Sequence, residues 1–267
     1  MDDRKRKNIW EVGAIIVAYF LFCYGFSHFN ALSAVVRNAL RVPVLPELVA
    51  FLFCCLPVVA VLVWLQRGRN FFRSVGLMRS FGGGMVRGMA FALPSFLISL
   101  LTEKFNADVV LSSVLTVALY AFFLEFVYRG FAFGQLFHGG RLGFLPTMVV
   151  LAVPFALPVL WNGNVWMFLL AFLGCMWDVT PFSWLYAEWN RNLGVTFGMS
   201  LLIRTGWLLF PVREVRPDGF QGWGSVAYLI CIVLAVAVTV IYKCRRGIPF
   251  RVNGKNLWRA EPSQADE

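Results

Sequence analysis

The run PVLPELVAFLFCCLPVVAVLVWL, residues 43–65, decides the fold class, because apart from Glu47 near its start it carries no charge. Wound as an α-helix, about 20 apolar residues cross the ~30 Å hydrocarbon layer of a bilayer. A helix also satisfies its own backbone polar groups there. Comparable runs recur on both sides of this one. Reading outward gives spans at 9–29, 43–65, 86–102, 109–136, 143–161, 164–186, 193–211 and 223–242. The expectation is an all-α, polytopic transmembrane bundle of about eight helices over residues 9–242. A basic segment (1–8) precedes it and a polar tail (243–267) follows. Composition agrees, with 59% of residues hydrophobic and only 14% charged, against roughly a quarter in a soluble domain.

The stretch after Arg4-Lys5-Arg6-Lys7 is too long and too apolar for a cleaved leader and reads as a retained first helix. The third span is short and contains Pro94, so a re-entrant segment is the alternative there. The connector Phe71–Gly88, with Phe71, Phe72, Arg73, Arg79, the triplet Gly82-Gly83-Gly84 and Arg87, reads as an interfacial segment. The tail after Pro249 is polar and reads as disordered.

The net charge of +10 would suit a nucleic-acid partner if it were spread over one surface. Instead the basic residues fall in clusters between apolar runs. With eight spans, residues 4–7, Arg67, Arg69, Arg73, Arg79, Arg87, Arg141, Arg191, Lys243, Arg245, Arg246, Arg251, Lys255 and Arg259 all lie on one side. Arg37 and Arg41 lie on the other, where Lys104, Arg213 and Arg216 are balanced by nearby acids. The positive-inside rule then places both termini in the cytoplasm. The plasma (inner) membrane is the expected location, and nucleic acid is not an expected partner.

Ionisable residues inside spans are costly and therefore mark candidate sites. Glu125, Arg129, Asp178 and Arg204 qualify, whereas Glu11 and Glu47 lie near span ends. Glu125 and Arg129 are spaced i, i+4 with the acid first, the favourable order for a pair on one helix face. By spacing alone they form either a structural ion pair or part of a site. Arg204 requires a partner, and Asp178 or Glu125 is the expected one. The six cysteines include no CxxC pair, and five of them lie in apolar runs. His28 and His138 are the two histidines, both near span ends. No metal-ligand spacing is present and no cofactor is expected. Trp161, Trp166, Trp177, Trp184 and Trp189 read as an interfacial belt or a contact surface.

The segment Leu124-Glu125-Phe126-Val127-Tyr128-Arg129-Gly130, following the apolar run Leu119–Phe123, resembles the first motif of the CPBP family. That family comprises CAAX prenyl endopeptidases and related bacterial intramembrane proteases. Its motif there is two adjacent glutamates, two variable residues, an aromatic and Arg-Gly. Phe155-Ala156-Leu157-Pro158-Val159 resembles the second motif, Phe with His four residues on. Ser200-Leu201-Leu202-Ile203-Arg204 resembles the third, His with Asn or Asp four residues on. The likeness covers about residues 110–210.

The resemblance implies a glutamate and a histidine that activate water for peptide hydrolysis. In this chain those positions are Leu124 and Val159, and the third-motif positions are Ser200 and Arg204. Glu125 and Arg129 are the motif residues that remain. The implied function is that of a non-catalytic scaffold, regulator or subunit, with the lipid bilayer and another membrane protein as partners. An endopeptidase with a divergent site at Glu125 is the alternative, and a transporter or channel is the third reading.

Overall fold

The computed structural model describes residues 3–40, 42–66, 71–77, 80–161, 164–211 and 222–260. Every regular element among them is helical: α1 (Asp3–Ser27), α2 (Phe29–Ala39), α3 (Leu45–Gln66), α4 (Phe71–Ser74), α5 (Phe81–Thr102), α6 (Leu111–Glu125), a π-helical continuation of α6 (Phe126–His138), α7 (Phe144–Trp161), α8 (Val165–Glu188), α9 (Leu193–Leu209) and α10 (Gly222–Arg246). Six rods are long and apolar enough to cross a membrane: Asn8–Ser27, Leu45–Gln66, Phe81–Thr102, Leu111–His138, Val165–Glu188 and Gly224–Arg246. Two shorter apolar helices, Phe144–Leu160 and Leu193–Leu209, complete the set of eight. The protein is a polytopic helical bundle of integral-membrane type.

Three details differ from the reading of the sequence. The first span ends at Ser27, and after His28 a separate helix, α2, begins; it is fixed at its far end by the Arg37–Glu47 ion pair. The third span is neither short nor re-entrant. It starts at Phe81 and runs unbroken through the glycine triplet and Pro94 to Thr102. The tail is not disordered over its first part. Phe144 and Leu145 donate backbone hydrogen bonds to the carbonyls of Asn256 and Leu257, each at 2.9 Å. Residues 261–267, and Arg41, Arg67, Arg69, Arg79, Arg213 and Arg216 of the charge argument, lie outside the described residues.

The closest helix pair is α5 against α9. Gly84 and Gly88 on α5 face Gly194 and Gly198 on α9, two small-xxx-small pairs of the kind that let membrane helices approach by their backbones. A Cβ built on Gly88 would stand 2.0 Å from the Val195 carbonyl oxygen, and one on Gly198 would stand 2.1 Å from that of Met85. No side chain fits in either place.

Contacts between distant segments show which helix ends lie together. Glu11 near the start of α1 binds Arg141 after the π-helix, at 2.8 Å. Gln66 at the end of α3 bonds Gln135. Arg191, in the turn between α8 and α9, donates to the Ser74 carbonyl at 2.6 Å, and Asn192 donates to that of Ser80. Glu188 at the end of α8 meets Lys243 at the end of α10. The loops that the sequence assigns to one side therefore converge on one end of the bundle. The opposite end is marked by Arg37 with Glu47, and by Asn106 bonded to the Leu209 carbonyl.

At the basic end Glu188 acts as a clasp. Its carboxylate accepts from the Lys243 ammonium and from the backbone amides of Arg251 (3.1 Å) and Val252 (2.9 Å). Lys243 also donates to the Pro249 carbonyl. Gly76, at φ +81°, allows the loop after α4 to dock beneath this turn, where its carbonyl accepts from the Leu193 amide.

Candidate functional site

The rod formed by α6 changes pitch at its middle. Up to Glu125 it is α-helical, and from Phe126 to His138 it is a π-helix, a form found mostly as single turns and often at functional positions. All residues from Phe123 to Phe137 are buried. Gly130 lets Val75 of the α4 loop approach the wider helix, its Cβ position being 3.1 Å from the Val75 carbonyl oxygen.

At this change of pitch, Glu125 and Arg129 line a cavity of about 590 Å³. This lies inside the range of small-molecule sites. Leu124, Tyr120 and Tyr128 of the same rod join them, with Phe155 of α7, Asp178 and Phe182 of α8, Ser200 and Arg204 of α9, and Tyr228 of α10. The four intramembrane ionisable residues singled out from sequence thus share one cavity. By their positions along the helices, it occupies the middle of the bundle and the half away from the basic end.

Polar contacts in the cavity are incomplete. Arg129 Nη1 donates to Glu125 Oε1 at 3.2 Å, with both side chains nearly sealed from solvent. The Arg129 guanidinium also lies over the rings of Phe182 (5.1 Å) and Tyr128 (5.6 Å). Glu125 Oε2 and Arg129 Nε have no hydrogen-bond partner. Asp178 accepts from the Tyr228 hydroxyl. Arg204 Nε donates to Ser200 Oγ at 3.2 Å, and its guanidinium lies 5.1 Å from the Tyr120 ring centroid.

The expected pairing of Arg204 with Asp178 or Glu125 is therefore corrected. Among the described residues no ion pair within 4.0 Å joins Arg204 to either acid. The physical reason is local: Ser200 lies one turn back on the same helix, Tyr120 offers a π face, and the two acids are engaged by Tyr228 and Arg129. A guanidinium over an aromatic face is favourable, more so when desolvated.

The positions aligned with the motifs divide. Leu124, Ser200 and Arg204 line the cavity with Glu125 and Arg129, as does the second-motif Phe155. Val159 is not among the lining residues. Neither histidine reaches the cavity. His28 hydrogen-bonds to Ser27 and the Tyr24 carbonyl, and His138 packs on Phe133, Phe137 and Tyr186. Among the described residues no group of three or more His, Cys, Asp or Glu side chains could hold a metal ion. Sequence reading missed Tyr120 and Tyr228, which lack any pattern of their own. It also missed Glu188, whose carboxylate near a span end resembles any interfacial acid.

The tryptophans separate too. Trp166 and Trp177 point outward from α8, while Trp184 stacks on Phe250 and Trp189 donates to Thr239 Oγ1 at 2.9 Å. The Trp161 side chain lies outside the described set.

Comparison of the chain with protein-family models, with curated proteins and with solved structures gives no match in any of the three. The class that the fold defines is a multi-pass helical membrane protein with a charged cavity within the bundle.

Proposed function

We propose that this protein is a non-catalytic membrane scaffold or regulatory subunit of CPBP type, whose cavity receives part of another membrane protein. One observation carries the reading. Helices α6, α7 and α9, which bear the three motif-like segments, bring Leu124, Glu125, Arg129, Phe155, Ser200 and Arg204 to one cavity in which no histidine stands. Glu125 is engaged by Arg129, and the Ser200 hydroxyl accepts from an arginine that cannot act as a base. Unsatisfied polar atoms in an apolar setting cost about 1–3 kcal/mol each. A ligand group that both donates and accepts would recover that cost if its entry displaced the side chains that seal Glu125 Oε2 and Arg129 Nε. A cavity of about 590 Å³ holds a few side chains and not a whole helix. The basic end would face the cytoplasm of the plasma (inner) membrane.

The test is affinity purification in mild detergent from the native membrane. A stoichiometric membrane-protein partner is expected, lost on Arg204→Ala or Glu125→Ala. A second reading, a divergent endopeptidase, rests on the Glu125 carboxylate standing among the residues that line the cavity. Recovery of no partner, together with proteolysis that Glu125→Gln abolishes, would replace the first reading with the second.

A further inference from the structure

We propose that the groove along the last turns of α10 is a site for the phosphate headgroup of an anionic phospholipid. It is separate from the charged cavity and does not depend on the function proposed for it. The groove, about 310 Å³, is lined by Val238, Ile241, Tyr242, Arg245 and Arg246. A ladder of rings and guanidiniums leads away from it, beginning at the lining residues Arg246 and Tyr242. Arg246 lies 4.9 Å from the Tyr242 ring, Tyr242 stacks on Trp189 at 5.3 Å, and Arg87 of α5 lies 5.4 Å from the Trp189 ring. The bond from Trp189 to Thr239 fixes the central ring.

Charge selects the occupant. Arg87, Arg245 and Arg246 are exposed, and among the described residues no carboxylate lies within 4.0 Å of any of them. Glu11 and Glu188, acids at this end of the bundle whose side chains are described, are held by Arg141 and Lys243. Three unpaired guanidiniums therefore face outward where the apolar run of α10 ends, the depth of lipid phosphates. Arginine forks match phosphate oxygens in pairs. Val238 and Ile241, both partly exposed, continue the groove into the apolar zone and give an acyl chain a bed. Basic pockets between transmembrane helices on the cytoplasmic side bind anionic headgroups by this combination.

The experiment uses the full chain in bilayers of phosphatidylcholine. Part of the lipid is replaced by brominated phosphatidylglycerol or brominated phosphatidylcholine, and tryptophan quenching gives their relative affinity. A preference of about tenfold for the anionic lipid is expected. The triple substitution Arg87→Gln, Arg245→Gln, Arg246→Gln should bring it near unity. The charge-matched triple Arg73→Gln, Lys255→Gln, Arg259→Gln should leave it in place. Ile241→Trp, which fills the groove and keeps the arginines, should also abolish it. The proposal is overturned if the unmodified protein shows no preference, or if both triples lower it equally, since a diffuse positive field would then suffice. It is equally overturned if Ile241→Trp leaves the preference intact, or if inorganic phosphate competes as effectively as the lipid.

Discussion

Replacing Gly88 by alanine adds a single methyl group at the tightest place in the bundle. The new carbon would stand 2.0 Å from the Val195 carbonyl oxygen and 2.8 Å from the Met199 amide nitrogen, both backbone atoms that no rotamer change can move. Ordinary contact begins near 3.4 Å, so α5 and α9 must separate by about an ångström or rotate. Overpacking of this kind costs about 1–3 kcal/mol, and the backbone obstacle places Gly88→Ala at the upper part of that range. For a chain of this size each kcal/mol lowers the midpoint by about 2–4 °C, so a fall of about 5–10 °C is expected. The measurement is thermal unfolding in detergent, followed by size exclusion or intrinsic fluorescence. Gly82→Ala is the matched control, since it lies on the same helix and a Cβ there meets nothing within 4 Å. Relief from the helix cost of glycine should leave it level with the parent or slightly above. If Gly88→Ala melts at or above the parent, or Gly82→Ala falls as far, the argument that α5 and α9 touch through glycine backbones is wrong.

Other outcomes follow from the ion pairs and thiols. Glu188→Ala leaves a buried lysine and two backbone amides without their acceptor, a loss of about 3–5 kcal/mol. Limited proteolysis should then cut residues 250–260 first, and an unchanged digestion pattern would refute the clasp. Glu125→Leu and Arg129→Met should each destabilise by about 3–5 kcal/mol, while the double variant should be near the parent; strictly additive losses in the melting assay would show that the pair is not coupled. Cys244 is exposed at the basic end, whereas Cys54, Cys55 and Cys231 are buried. With the orientation proposed above, a membrane-impermeant maleimide should modify Cys244 only from the cytoplasmic face, and labelling from the outer face would reverse that proposal.

The spans were legible because lipid imposes one rule on every residue, so apolar length alone locates eight helices to within a few residues. What depends on pairing between distant segments was not legible. Gly84-x-x-x-Gly88 and Gly194-x-x-x-Gly198 are visible as words, but nothing in one indicates that it faces the other. The triplet at Gly82 also invited reading as part of an interfacial connector, because glycine is a poor helix former in isolation; of the three, Gly84 packs against Asn192 at the start of α9. The choice of Glu125, Arg129, Asp178 and Arg204 as candidates followed from their shared cost in lipid. Their partners did not, because Tyr228 lies 50 positions from Asp178 and no periodicity connects them.

The two buried ion pairs show how far a charge inside the bundle can serve stability alone. Glu188 uses both oxygens, one for the Val252 amide and the other for Lys243 and the Arg251 amide, so its burial is compensated on every side. Glu125 and Arg129 share one bond of 3.2 Å, and each keeps a polar atom without a partner. A pair retained only for stability would be expected to close its remaining valences, as Glu188 does, because each open one costs about 1–3 kcal/mol. Glu125 and Arg129 are lining residues of a cavity, beside an arginine that forms an ion pair with neither acid. The same chemistry thus takes two forms: at Glu188 both oxygens are engaged, and at Glu125 one oxygen is left without a partner.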